Sequence, residues 1–312
     1  DNILVGGSST QLTHTLFTTL LDPGDRVVLF DPSYANYGPQ LNLGPEGTEI
    51  LWLSVFDAEK WAFMRDRESI VSSFQALVSE YNPRLLLFSS PDNPTSRLIP
   101  DDVFDDILRI AEQADCFVIV DFAYRAQCFT ELVPDHFSAS PSEHPNLIRL
   151  HSNSKWCRGL GRRLGWVEAA PHVIEALEIV QQSTALCPDS VHQHALAEYL
   201  RKSLSDGSLK SYMDDTNELY ARAARHTTEC IDRYLEMPRL EPQGGLYTVM
   251  DVGRNGDEFV HEILTKTGVI FVPGSGFGSS IANGVRISYG PLVNDLDRIE
   301  EGIQRVGEVF QV

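Results

Sequence analysis

Short β-branched and aromatic runs alternate with stretches of helical period over the first 170 residues. "NILVGG" is followed by "STQLTHTLFTTLL", which stops at "DPGD". Strands are then predicted at "RVVLFDP", "EILWLSV", "PRLLLFSSP", "CFVIVDFAY" and "NLIRLHSNS", with the helix "PDDVFDDILRIAEQA" between the third and fourth. These runs are nearly continuously apolar instead of alternating, as in strands covered on both faces. The expected fold is therefore α/β, with a mostly parallel central sheet sandwiched by helices.

After Trp166 the pattern turns helical, through "APHVIEALEIVQQ", "SVHQHALAEYLRKSL" and the long "LKSYMDDTNELYARAARHTTECIDRYLEM". Three further strands, "GGLYTVMDV", "GVIFVPGSGFG" and "GVRISYG", precede an amphipathic last helix, "LVNDLDRIEEGIQRVGEVF". This second unit reads as a smaller α+β domain. The boundary is expected inside the long helix, with residues 1–212 as the large domain and 213–312 as the small one.

In sheets of this kind ligands bind at the carboxyl ends of the strands. Five predicted strand ends carry polar residues: Ser8 and Ser9, Asp31 to Tyr34, Asn93, Asp121 to Tyr124, and Ser152 to Lys155. One site on that rim is expected. The stretch "LIRLHSNSKWCRGLGRRLGW" sets Lys155 among serines and arginines in a chain of net charge −19. A lysine so placed suits imine chemistry. Ser152, Ser154 and Arg163, with the helix opening after Ser8 and Ser9, suit a phosphate. Asp121 closes a buried apolar strand, where an acid needs a cationic or hydrogen-bonding partner.

The acidic balance leaves no basic tract for nucleic acid or an anionic membrane. Five scattered cysteines without CxxC spacing give neither a zinc motif nor a disulfide framework, and fit a reducing, cytoplasmic setting. No run is long and apolar enough to span a bilayer. No metal is expected.

Taken together, "DPGDRVVLFDPSYANY", "PDNPTS", "DFAY", "SNSK" with Arg163 eight residues beyond the lysine, and "GVRISYG" occur in one order along the whole chain. In this the chain resembles the fold-type I enzymes dependent on pyridoxal 5'-phosphate (PLP), and specifically the class I/II aminotransferases typified by aspartate aminotransferase. The resemblance implies that Lys155 forms the Schiff base with the cofactor and later acts as base at the substrate Cα. It implies Asp121 at the pyridine nitrogen, Asn93 and Tyr124 at the phenolic oxygen and Tyr34 stacked on the ring. Ser8, Ser9, Ser152 and Arg163 would hold phosphate, with Ser154 in support, and Arg286 would clamp the substrate carboxylate. Without the family, Tyr34 and Tyr124 also read as packed aromatics, Asn93 as a turn residue before Pro94, and Ser8, Ser9 and Ser154 as helix caps.

The implied activity moves an amino group between an L-amino acid and a 2-oxo acid, in a homodimer. A lyase, decarboxylase or cyclase on the same scaffold stays open, as does a non-catalytic PLP-binding domain. Three departures flank the site. Ser96 stands where glycine usually follows NPT, Phe122 where an acid is common, and "WCRGLG" replaces the usual run after the lysine. Family members also carry an N-terminal arm and helices before the strand that begins here, so a missing segment is expected. The side chain of the substrate is not readable.

Overall fold

The structure is a computed structural model and describes residues 2–310 except Arg65 and Leu132. Two elements open the chain, β1 (Ile3–Gly6) and α1 (Ser9–Leu20), followed by β2 (Arg26–Asp31), α2 (Tyr37–Leu41) and β3 (Glu49–Ser54). A small hairpin of β4 (Phe56–Asp57) and β5 (Ala62–Phe63) leads to α3 (Arg67–Tyr81). Next come β6 (Leu85–Ser89), α4 (Asp101–Gln113), β7 (Phe117–Asp121), β8 (Leu147–Ser152) and β9 (Gly165–Glu168). Helices α5 (Pro171–Thr184), α6 (Ser190–Ser205) and α7 (Ser208–Tyr234) precede β10 (Tyr247–Asp251) and α8 (Gly256–Thr267). The described chain ends with β11 (Val272–Pro273), β12 (Gly284–Ser288) and α9 (Leu296–Phe310).

Among the described residues, seven strands form the large sheet in the order β1-β9-β8-β7-β6-β2-β3. Pairing is parallel from β8 through β7, β6 and β2 to β3, and antiparallel on both sides of β9. All residues of β6, β7 and β8 are buried; the first two are apolar up to their last residue, and in β8 the buried Arg149 is paired with Glu168. One face of the sheet packs Phe30, Phe88, Val118 and Val120 against Phe74, Phe104 and Ile107 of α3 and α4. The other packs Leu29, Leu87 and Ile119 against Leu12, Leu16 and Phe17 of α1 and Leu177 of α5. Burying each such side chain is worth about 1.5–3 kcal/mol, so the two faces hold the strand ends rigidly.

Helix α4 buries Val103, Phe104, Ile107, Leu108 and Ile110 and turns its acids outward, the stripe expected of a helix on a sheet. Asp66 caps α3, its Oδ1 accepting from the Ser69 amide at 2.8 Å. A second cluster joins Tyr220, Ala224 and Ile231 of α7 to Met250, Phe259, Ile287, Ile299 and Ile303. Buried residues of α7 begin only at Tyr220.

Three readings of the chain are corrected. Residues 165–168 form strand β9, not the start of the helical region, because only four residues pair and Arg162 and Arg163 obscure the signal. Helix α3 lies between the strands expected at "EILWLSV" and "PRLLLFSSP", with Ile70, Phe74 and Val78 recurring every four residues on its buried face. Within "GVIFVPGSGFG" only Val272–Pro273 is strand; Gly274–Gly276 turns as a 3-10 segment.

Candidate active site

The ends of β1, β2, β6, β7 and β8 meet at one cavity of about 150 Å³. Ser9, Tyr34, Asn93, Asp121, Tyr124, Ser152, Ser154, Lys155 and Arg163 line it, joined by Thr10, Tyr37, Ser89, Ala123 and Leu160.

Asp121 is the last residue of β7 and lies almost fully buried. Its Oδ2 accepts from the Tyr37 hydroxyl at 3.0 Å and its Oδ1 from the Ala123 amide at 2.9 Å. Burial pushes this carboxyl up to about 6, against the pull of those two donors and of Lys155. Such a carboxylate is short of a cationic partner. Lys155 itself sits with Nζ 5.3 Å from the centre of the Tyr124 ring.

At the opposite end the chain crosses itself closely. A Cβ at Gly165 would lie 2.6 Å from the His151 carbonyl oxygen and 2.9 Å from the Ser9 nitrogen, so glycine lets β9 press on the opening of α1. Ser8 caps α1, its Oγ accepting from the Gln11 amide at 3.3 Å. As an acceptor there, its hydroxyl keeps its own proton to donate, and Ser9 and Thr10 border the cavity. Arg163, in the left-handed conformation, donates from Nη1 to the Leu160 carbonyl at 2.9 Å and lies 3.4 Å from Ser154 Oγ. Ser152 Oγ accepts from the Ser154 amide at 3.2 Å. Helix N-terminal amides, hydroxyls and a guanidinium so gathered fit an anion.

The "PDNPTS" turn is built around Asp92. It accepts from Ser89 Oγ at 3.2 Å, Thr95 Oγ1 at 2.6 Å and the Thr95 amide at 3.1 Å. That turn aims Asn93 inward, where its Oδ1 accepts from Arg286 Nη1 at 2.9 Å. Arg286 projects from β12 and stacks 4.1 Å from the centre of the Tyr247 ring. Its Nε is buried without a hydrogen-bond partner, and the Phe277 ring centre lies 4.8 Å from the guanidinium. Tyr247 and Tyr124 share a hydroxyl contact of 2.9 Å. A second cavity of about 420 Å³ adjoins the first and is lined by Lys155, Arg158, Tyr220, Tyr247, Arg286, Ser288 and Asn294 among others.

Every proposed site residue except Ser8 and Arg286 thus borders the smaller cavity, and Arg286 borders the larger one. Tyr37 was not among the expected site residues; its position three residues after Tyr34 was the available signal, and the two rings meet edge to face at 5.3 Å. Asp31 turns away from the cavity. It accepts from Ser279 Oγ at 2.8 Å, from the Ser280 amide at 3.2 Å and from Ser280 Oγ at 2.6 Å. Ser96, at φ 56°, accepts from the Tyr247 amide at 3.2 Å, so the residue standing in glycine's place ties the NPT turn to β10. Phe122 packs against Phe137 and His151.

The family profile "Aminotransferase class I and II" matches residues 1–305. The chain belongs to that family. It is 25% identical over 306 residues to the aspartate/prephenate aminotransferase of Thermus thermophilus, covering 97% of this chain and 74% of the relative. It is 27% identical to the L-glutamine–4-(methylsulfanyl)-2-oxobutanoate aminotransferase of Bacillus subtilis, covering 98% and 72%. The fold overlays an aspartate aminotransferase mutant of Thermus thermophilus with TM-score 0.85 at 22% identity, covering 98% and 80% of the two chains. It also overlays the aromatic aminotransferase of Pyrococcus horikoshii with TM-score 0.86 at 22% identity, covering 99% and 79%.

The protein is an aminotransferase, a transferase of amino groups, and the lyase alternative is not favoured. Enzymes of this family use PLP. Among the described residues no helix is long and apolar enough to cross a membrane.

Proposed function

We propose that Lys155 carries pyridoxal 5'-phosphate and that the enzyme moves the amino group of an acidic L-amino acid to a 2-oxo acid. The observation behind this reading is one cavity bordered by a lysine, an anion-binding end and a buried carboxylate short of a cation. The residues fit the cofactor: Ser9, Thr10, Ser152, Ser154 and Arg163 would hold its phosphate, and Asp121 its ring nitrogen. Tyr34 would lie against the ring, with Asn93 and Tyr124 at its phenolic oxygen. When bound, the cofactor supplies a carbonyl for the amino group and an electron sink for the charge at Cα.

The chain's residues do the rest. Arg286, which lines the larger cavity, would take the substrate's α-carboxylate with its guanidinium, and Asn93 holds that guanidinium in place. Lys155 Nζ, released by the incoming amine, withdraws the Cα proton. Asp121 keeps a proton at the ring nitrogen, and Tyr37 keeps Asp121 ionised. An acidic substrate follows from the larger cavity. Lys155, Arg158 and Arg286 line it, and no carboxylate does among the described residues. Arg158 is the cation proposed for the distal carboxylate, and aspartate appears in the names of several relatives.

The same reading carries a homodimer, for which exposed Ile179, Leu186, Val191 and Leu204 offer apolar surface. It also carries the partition into domains 1–212 and 213–312. Cytoplasmic residence goes with the free cysteines. The test is turnover of aspartate and 2-oxoglutarate to oxaloacetate and glutamate, compared with alanine and phenylalanine as donors. Activity that disappears in Lys155→Ala, with aspartate preferred, supports the proposal. Release of carbon dioxide or ammonia in place of a 2-oxo acid overturns it.

A further inference from the structure

Helices α7 and α9 pack together through residues that line neither catalytic cavity. There His226 and Cys230, one turn apart on α7, meet Glu300 of α9. The nearest ligand atoms of the three all lie within 4.8 Å of one another. His226 Nε2 is 3.6 Å from Cys230 Sγ, 3.8 Å from Glu300 Oε2 and 3.1 Å from the Leu296 carbonyl oxygen. Three electron-rich atoms therefore converge on one imidazole nitrogen, which can offer a single proton to one of them.

Glu300 is also held in a particular orientation. Its Oε1 accepts from the Tyr234 hydroxyl at 2.6 Å and from Arg233 Nη1 at 3.1 Å, leaving Oε2 as the oxygen that faces His226. Donors behind one carboxylate oxygen, fixing the other toward a neighbouring nitrogen and sulfur, form the outer shell that metal sites use. Cys230 is buried, while the His226 and Glu300 side chains are part-exposed, so an ion has a way in.

We propose that His226, Cys230 and Glu300 bind a zinc-type divalent cation that clamps α7 to α9. Nitrogen, thiolate and carboxylate within 4.8 Å of one another suit zinc, with a fourth position left to water or the Leu296 carbonyl. On binding, the Cys230 S–H bond breaks and its proton passes to solvent. The imidazole adopts the tautomer protonated at Nδ1, and its Nε2 lone pair takes the metal. Thiolate and carboxylate together neutralise the dication.

The experiment uses the tag-free full chain, incubated with zinc sulfate and freed of loose metal by gel filtration. Zinc is then quantified and Tm measured. About one zinc per chain is expected after gel filtration, and a rise in Tm of about 5 °C in a parallel scan with free zinc kept well above its Kd. Cobalt in place of zinc should give a thiolate-to-metal charge-transfer band. Cys230→Ser should abolish the bound zinc, the Tm rise and the cobalt band. Tyr234→Phe should weaken zinc binding about tenfold through the outer shell, and Cys187→Ser, at an exposed cysteine, should change nothing. Glu300→Gln, at a half-exposed position, gives the same comparison if Cys230→Ser does not fold. No retained zinc, or zinc retained equally by Cys230→Ser and Glu300→Gln, overturns the proposal.

Discussion

The bond from Tyr37 to Asp121 can be removed with little change of shape by Tyr37→Phe. Burial holds the Asp121 carboxyl at about 6, and Tyr37 is one of two donors that keep it from rising further. A hydrogen bond to a charged group contributes about 1.5–3 kcal/mol. At about 1.36 kcal/mol for each pKa unit, its loss moves Asp121 up to about 7 or 8. The cofactor's protonated ring nitrogen needs the ionised carboxylate, so binding must first remove a proton from any neutral Asp121. The raised group is ionised only above its folded pKa, so the defect appears at neutral pH and disappears as pH rises. Worked through, Tyr37→Phe should bind PLP about two- to tenfold more weakly than wild type at pH 7 and equally at pH 9. Equilibrium titration of the apo-proteins at both values measures this. A defect of the same size at pH 7 and pH 9, or no defect at either, would refute the reasoning.

Arg286→Lys keeps the charge but loses the fork that matches a carboxylate, so KM for the amino acid should rise about ten- to a hundredfold, more than kcat falls, in steady-state assays. Ser96→Ala leaves the Tyr247 amide without its acceptor and should lower stability by about 1–3 kcal/mol in urea titration, with no change if that bond is idle. Asp31→Ala removes the acceptor of Ser279 and Ser280 and should cost about 3 kcal/mol in the same assay.

Much of this was legible in the chain. Buried parallel strands announce themselves as nearly continuous apolar runs, so β6, β7 and β8, the last interrupted by Arg149 and His151, and the polar residues at their ends could be read directly. Lys155, Asp121 and Arg163 stood out because cations and buried acids need a reason at such positions. Strand β9 could not be read, since its pairing comes from β1 and β8 and not from its four residues. Tyr37 was ambiguous for a similar reason: whether an aromatic hydroxyl meets a carboxylate 84 residues away is decided by the packing of α2 over β7. The role of Asp31 was hidden too, because its partners belong to a loop 248 residues further on. Arg158 carries no signal of its own in the sequence, and only the fold sets it on the wall of the cavity that Arg286 also lines.

The central claim is a covalent one, and reductive trapping tests it most directly. Protein loaded with PLP is reduced with borohydride, digested and mapped by mass spectrometry. A pyridoxyl group on Lys155, absent after Lys155→Ala, is the result predicted. An unmodified Lys155, or the group on another lysine, would contradict the account.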